Sequence, residues 1–334
     1  MASRSSASAL HPAADSGAAL IDQLGAVMYV GGALIFLLVM ALALYGVYAK
    51  PTSVNVRYWI YGGGLAFPIL TLTVLLIYSL AVGNGLNAIG SANALQLFLD
   101  CFGAGNASAS ARAPADEVLR VHVVGKQWWW EVRYEQQGGQ PLILANEIRM
   151  PVNKPVELVL STTDVIHSFW APSLAGKVDM IPGRTTRLRV QTSEEGTFRA
   201  VCAEYCGGQH ALMALFVVTQ SSKDFESWLA RQAAPVGAPG DPFLQLGHEA
   251  FFRGNCQSCH TIRGTPAEGQ GGPDLTHVGS RRSLGAGVLG NHIGTMAGWI
   301  AGTQDVKPGS KMPATLIYTG EELRALSAWL GSLE

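Results

Sequence analysis

The sequence predicts a multi-domain membrane protein: a two-helix transmembrane hairpin, then an all-β domain, then a helical domain. Three observations carry this. Residues 24–49 and 58–82 are apolar runs without a charged side chain. Between residues 117 and 220, short segments alternate apolar and polar side chains. Beyond a Pro/Gly/Ala stretch at residues 233–240, the periodicity becomes helical.

Each apolar run exceeds the roughly 20 residues that cross a bilayer as a helix. Each also exceeds the apolar core of a signal peptide, about 7–15 residues. Buried core helices are the alternative reading. The connector carries Lys50 and Arg57 and no acid, so it faces the cytoplasm by the positive-inside tendency. The hairpin then spans residues 24–83, the tail 1–23 is extracytoplasmic, and the lipid bilayer is a partner. Only 14% of residues are charged and the net charge is −1. Lys and Arg are scattered, which excludes a nucleic-acid footprint.

Residues 84–116 form a linker rich in Gly, Ala, Asn and Ser, clearest at 103–115. The β domain covers residues 117–232. Trp128, Trp130, Val132 and Tyr134 alternate with Trp129, Glu131 and Arg133. Residues 156–161, 186–191, 198–201 and 215–218 read as further strands bounded by Pro and Gly. They indicate a sandwich or barrel. The second linker, residues 233–242, has the composition of a domain boundary. In the final domain, 243–334, Asp241-Pro242 offers an N-cap and a proline at the first helical position. Thr319-x-x-Glu322 is a capping box for the last helix.

Five cysteines argue against a pure disulfide framework. Cys202, Cys206, His210 and Met213 read C-x-x-x-C-x-x-x-H-x-x-M. Thiolate and thioether ligands select copper, and imidazole suits it. Two thiolates on one loop can bridge two metals, with histidine and methionine capping them. A second histidine must come from elsewhere, and His167 is the candidate. Zinc is the rival, but methionine is a poor zinc ligand. A Cys202–Cys206 disulfide leaves the His and Met spacing unexplained.

Cys256-Gln-Ser-Cys259-His260 is the C-x-x-C-H signature of covalent haem c. The thiols form thioethers and His260 is the proximal iron ligand. A redox-active disulfide is the rival. Met312 is the expected second axial ligand, since Met/His ligation suits electron transfer. Met296 competes but falls in a helical stretch and reads as core. His277 and His292 read as structural.

At these residues the chain resembles subunit II of cytochrome c oxidase, across residues 20–225, fused to a class I cytochrome c as in caa-type haem–copper oxidases. The resemblance implies a cupredoxin-like Greek-key β-barrel and an all-α cytochrome c fold. It implies a dinuclear CuA centre bridged by Cys202 and Cys206. His167 and Met213 would complete one copper, His210 and the Glu204 carbonyl the other. The Glu204 side chain would ligate magnesium at the contact with subunit I. Trp128, in Gly125-Lys-Gln-Trp128, matches the aromatic position where electrons arrive near copper. Lys177-Val-Asp179 matches a segment near the donor-docking face.

The implied activity is that of a proton-translocating cytochrome-c oxidase. Electrons would pass from an external cytochrome or other donor, through haem c and CuA, to subunit I for dioxygen reduction. Subunit I and the other oxidase subunits are the implied partners. The implied location is the bacterial inner membrane, with both cofactor domains on the periplasmic side. Quinol-oxidizing relatives lack the copper ligands that this chain retains. One departure stands out. Many relatives carry a Glu near the start of the second span, whereas residues 51–68 contain no acid and Tyr61 falls about there. Cys101 reads as a buried or free thiol.

Overall fold

The computed structural model describes residues 11–48, 55–87, 118–136 and 139–334. Cys101 and the 103–115 stretch lie outside them. Among the described residues, 15–48 and 55–87 form one compact unit. Residues 118–334, with the tail residues Ala13 and Ala14, form another.

In the first unit, helix α1 is Gly17–Tyr48 and α2 is Phe67–Asn87. The first helix begins seven residues ahead of the apolar run, because Asp22 and Gln23 interrupt the apolar run without interrupting the helix. The most apolar window of each span is 0% buried within the protein. These are therefore not core helices; their Leu, Phe and Val side chains face outward, as a bilayer requires. A π-helical segment, Tyr58–Ala66, leads into α2, and Phe67 N donates to Gly62 O. Pro68 lacks the N–H that an α-helix would direct to Gly64, which favours the wider turn.

The second unit opens with a two-sheet sandwich. One sheet contains β1 (Leu119–Lys126), β2 (Trp129–Tyr134), β3 (Leu142–Ala145), β5 (Val156–Thr162) and β8 (Thr186–Val190), in the order β3-β2-β1-β5-β8. The other contains β4 (Glu147–Pro151), β6 (His167–Trp170), β7 (Val178–Met180), β9 (Gly196–Cys202) and β10 (Ala214–Gln220), in the order β4-β10-β9-β6-β7. The pairs β1/β5 and β4/β10 are parallel. These non-sequential neighbours make the cupredoxin-like Greek key.

The alternation in β2 places Trp130, Val132 and Tyr134 at 0% exposure in the core. Each such side chain contributes about 1.5–3 kcal/mol on burial. The opposite face holds Glu131, paired with Lys126 at 2.7 Å and with Arg133. Helix α3 (Ser222–Ala233), capped by Ser221, closes the sandwich by setting Trp228 edge-on to Tyr134 at 5.5 Å. The tail reaches this domain too: Ala13 N donates to Ser173 O at 2.7 Å.

The C-terminal domain contains α4 (Pro242–Arg253), α5 (Ile293–Ala301), the short α6 (Thr303–Val306) and α7 (Gly320–Gly331). Asp241 caps α4 through Phe243 N at 2.7 Å, and the Thr319/Glu322 capping box starts α7. Helices α4 and α7 touch at Gly247, where a Cβ would lie 2.1 Å from Ala325 O. Two small hairpins, Thr261–Ile262 with Ala267–Glu268 and Ser283–Leu284 with Leu289–Gly290, interrupt the helical pattern. The Pro/Gly linker, flexible by composition, is tied down. Val236 N donates to Arg263 O at 2.9 Å, and Arg263 Nη2 returns to Gln232 O at 2.7 Å.

Candidate metal and haem centres

The copper loop connects β9 to β10. Cys202 ends β9, His210 begins a 3₁₀ turn, and Met213 directly precedes β10. The loop is closed at its base by Cys202 N donating to Met213 O at 3.0 Å. His167 arrives on β6, which pairs with β9 through Phe169 and Cys202. Two adjacent strands thus bring together ligands 35 residues apart in sequence.

The donor atoms converge. Cys202 Sγ lies 3.8 Å from Cys206 Sγ and 3.7 Å from His167 Nδ1. Cys206 Sγ lies 3.6 Å from His210 Nδ1 and 3.9 Å from Met213 Sδ. The Glu204 carbonyl is 3.2 Å from Cys202 Sγ. Ligands about 2.3 Å from one tetrahedral metal sit about 3.7 Å apart. Both cysteines are free, so the disulfide alternative is not formed. His167, Cys202, Cys206 and Met213 are all buried, whereas His210 and Glu204 are partly exposed.

The thiols titrate as a pair. The contact with Cys206 draws Cys202 down to about 3, and the same contact pushes Cys206 up. Two thiolates about 4 Å apart repel by about 4 kcal/mol at an effective dielectric of 20. A cation between them removes that penalty, so this donor set fits a metal.

A second layer fixes the ligands. The Asp164 carboxylate accepts from His167 Nε2 at 2.8 Å and from Gln127 N at 2.7 Å. That proton placement leaves Nδ1 bare toward Cys202. Burial alone would raise Asp164, but the hydrogen bonds from His167, Gln127 and Val165 together hold its carboxyl below the usual range. Trp128 Nε1 and Gln127 Nε2 both donate to Cys206 O, at 2.9 and 2.7 Å. Two glycines make room. A Cβ at Gly125 would lie 2.8 Å from His167 Cδ2, and one at Gly207, with φ +112°, would lie 3.0 Å from Trp128 Cζ2.

The Glu204 side chain is 44% exposed, and its carboxylate lies 3.8 Å from Lys177 Nζ. Lys177 also reaches Asp179 at 3.1 Å. Hydrogen bonds from Ser168 and Lys177 hold Asp179 below the usual carboxylate range.

In the C-terminal domain, Cys256 and Cys259 frame a 3₁₀ turn just after α4. Both are free. His260 Nδ1 donates to Pro273 O at 2.7 Å, which leaves Nε2 as the ligand nitrogen. Burial lowers the basicity of His260. A Cβ at Gly272 would lie 2.6 Å from His260 Cε1, so the ring needs a glycine there. Leu316 and Ile317 are 82% and 64% exposed, close in sequence to Tyr318, whose hydroxyl is 3.7 Å from Cys256 Sγ. An apolar macrocycle attached at Cys256 suits such uncovered side chains. Met312 sits at the margin of this core, whereas Met296 is 2% exposed within it. His277 bridges to Glu334 O and Ala234 O, and His292 caps α5; both roles are structural.

Two family models match the chain: cytochrome c oxidase subunit II, periplasmic domain, over residues 135–220, and cytochrome c over residues 244–334. Residues 135–220 are thus similar to a subunit II periplasmic domain, and residues 244–334 to a cytochrome c domain. Cytochrome c oxidase subunit 2 of Alkalihalophilus pseudofirmus is 34% identical over 219 residues, covering 66% of this chain and 62% of that one. Its counterpart from Bacillus sp. strain PS3 is 32% identical over 225 residues, covering 64% and 62%. The chain thus spans 62% of the length of each of these curated relatives. The crystallised periplasmic domain of subunit II of cytochrome oxidase from Bradyrhizobium japonicum is 31% identical, with TM-score 0.32, covering 34% of this chain and 91% of that one. The two long apolar helices α1 and α2, together with the match to a periplasmic domain, mark a membrane-anchored protein with an extracytoplasmic domain.

Proposed function

We propose that this chain is the subunit through which electrons enter a caa-type respiratory cytochrome c oxidase in the bacterial inner membrane. The chain takes electrons from an external cytochrome or similar donor and delivers them to subunit I. Dioxygen reduction and proton translocation belong to subunit I. The convergence of six donor groups from β6 and the β9–β10 loop supports this reading most directly.

His167, Cys202, Cys206, His210, Met213 and the Glu204 carbonyl would hold CuA. Cys256 and Cys259 would hold haem c, with His260 and Met312 as axial ligands. Bound there, the two groups supply one-electron redox chemistry. The chain's residues do the rest. Asp164 keeps the proton of His167 on Nε2, and Pro273 O keeps that of His260 on Nδ1. The buried side chains of His167, Cys202, Cys206 and Met213 exclude water. Trp128 fixes the Cys206 backbone and offers an aromatic surface beside it. The partly exposed Glu204 carboxylate would join a magnesium site at the subunit I contact.

The test is metal and haem content of the intact membrane complex with copper electron paramagnetic resonance. Two coppers per chain, a covalent haem and the multi-line hyperfine pattern of a shared-valence pair are expected. A single copper that exchanges readily into a chelator would overturn the reading.

A further inference from the structure

The cytochrome domain rests on the copper domain through a contact centred on Lys307. This lysine is 2% exposed. Its ammonium donates to three backbone carbonyls: Trp128 O at 2.7 Å, Leu212 O at 2.8 Å and Gly285 O at 2.9 Å. Three N–H groups meet three acceptors, so the buried donor is saturated. Two acceptors belong to the copper domain. Trp128 touches Cys206, and Leu212 precedes Met213.

Neighbouring contacts give the same seating. Ala214 N donates to Ala286 O at 2.9 Å, and Gln209 Nε2 to Pro308 O at 2.8 Å. Gly287, at φ +81°, lets the chains close: a Cβ there would lie 2.9 Å from Ala214 Cβ. On the cytochrome side, the loop from Lys307 to Met312 is braced. Gln304 Nε2 donates to Ser310 O at 2.9 Å and to Met312 O at 2.7 Å, and Gln304 Oε1 accepts from Gly309 N at 2.9 Å. One rigid loop therefore runs from the Lys307 contact to the proposed haem ligand.

A buried charge is a poor way to gain stability, since apolar residues of similar volume often do as well or better. Its ammonium accepts no substitute geometry, however, and so selects one register between the two loops. Burial draws Lys307 down to about 8.

We propose that Lys307 is a positioning residue for electron transfer within the chain, seating the Met312 loop on the Trp128–Cys206 face of the copper loop. The step it serves moves a single electron, lost at the cytochrome site and gained at the copper site, with no bond made or broken. Tunnelling falls steeply with separation, so a fixed seating sets the rate. The inference rests on the electron-relay reading above.

The test uses the intact complex with Lys307→Gln. Flash reduction of the cytochrome domain reads transfer within the chain, and amide exchange over residues 212–216 reads the contact. Loss of charged-donor hydrogen bonds predicts about tenfold to hundredfold faster exchange, with transfer slowed as the docked fraction falls. Copper resonance and haem absorption spectra stay unchanged. Gly287→Ala, which wedges the same contact from another point, gives the same slowing and serves if Lys307→Gln does not fold. Faster exchange with an unchanged transfer rate overturns the proposal, since Lys307 is then only structural. Slowing accompanied by an altered copper spectrum also overturns it, since the copper ligands are then the cause. A wild-type complex lacking the copper pair or the haem defeats the relay reading itself, a distinct result.

Discussion

Replacing Gly125 with alanine tests whether His167 is held at the copper site by packing. Gly125 lies in β1 opposite both Trp130 and Thr162. An added Cβ would stand 2.8 Å from His167 Cδ2 and 3.0 Å from Cγ, where ordinary contact begins at 3.4 Å. The ring must retreat by about 0.6 Å. It has little room to do so. His167 is 0% exposed, its Nε2 is bound to Asp164 at 2.8 Å, and Trp130 and its own strand flank it. Overpacking of this kind costs about 1–3 kcal/mol. If that cost falls on the metal-bound geometry, copper affinity drops by about 5- to 150-fold. The assay is copper per chain after dialysis against a graded chelator, with the hyperfine pattern recorded in parallel. Gly208→Ala is the control, because nothing lies within 4 Å of a Cβ there. Two retained coppers and an unaltered hyperfine pattern in Gly125→Ala would refute the reasoning.

Removing the acceptor in Asp164→Ala frees the His167 tautomer, and copper affinity should fall about 10–100-fold; equal copper retention in chelator titration counts against this role. Met312→Ala should abolish the near-infrared sulfur–iron band while Met296→Ala keeps it, and the reverse pattern in absorption spectra assigns the ligand to Met296. Glu131 supplies the pH dependence. Burial alone would raise it, but Lys126 and Arg133 outweigh burial and hold it below 4.5. A depressed folded-state value means its stabilisation is present above the unfolded value and is lost as pH falls through the folded one. Glu131→Gln, which leaves the partly exposed Lys126 and Arg133 without their acid, should cost about 1 kcal/mol near neutral pH. In denaturant unfolding, that difference should shrink below about pH 4; a constant difference excludes Glu131 as the source.

The legible parts of the chain were those whose partners are close in sequence. Cys202, Cys206, His210 and Met213 share one loop, so their spacing alone exposes the site. The strand read over residues 186–191 alternates cleanly and is found at Thr186–Val190, one residue shorter. By contrast, β6 begins with His167 and Ser168, both 0% exposed, and a buried polar pair breaks the alternation that marks a strand. Lys307 was illegible for a different reason: its acceptors Leu212 and Trp128 are 95 and 179 residues away. No local pattern distinguishes it from a solvated loop lysine. The linker's Pro/Gly composition marks a boundary but cannot show its restraint, which comes from Arg263, about 30 residues away in sequence. Gln127 and Asp164 lay beside recognised motifs, but their roles depend on β1 and the β5–β6 loop meeting.

The two histidines show why one chain can hold two redox sites without using the same chemistry twice. Each ring is approached by a glycine, Gly125 for His167 and Gly272 for His260, so each is clamped against backbone. Each also has its far nitrogen fixed by a hydrogen bond, so neither needs to reorient when its site changes charge. The acceptors differ. His167 faces a carboxylate, and despite opposing burial its contacts with Cys202 and Asp164 raise its basicity. His260 faces a neutral carbonyl, and burial lowers its basicity. A more basic imidazole donates more charge to its metal. In the proposed sites, His167 would bind copper beside a charged acceptor and His260 would bind haem iron beside a neutral one, with each ring held in place. Rigid ligands with separately set basicity are what a relay needs: small reorganization at each site and a potential that the protein adjusts site by site.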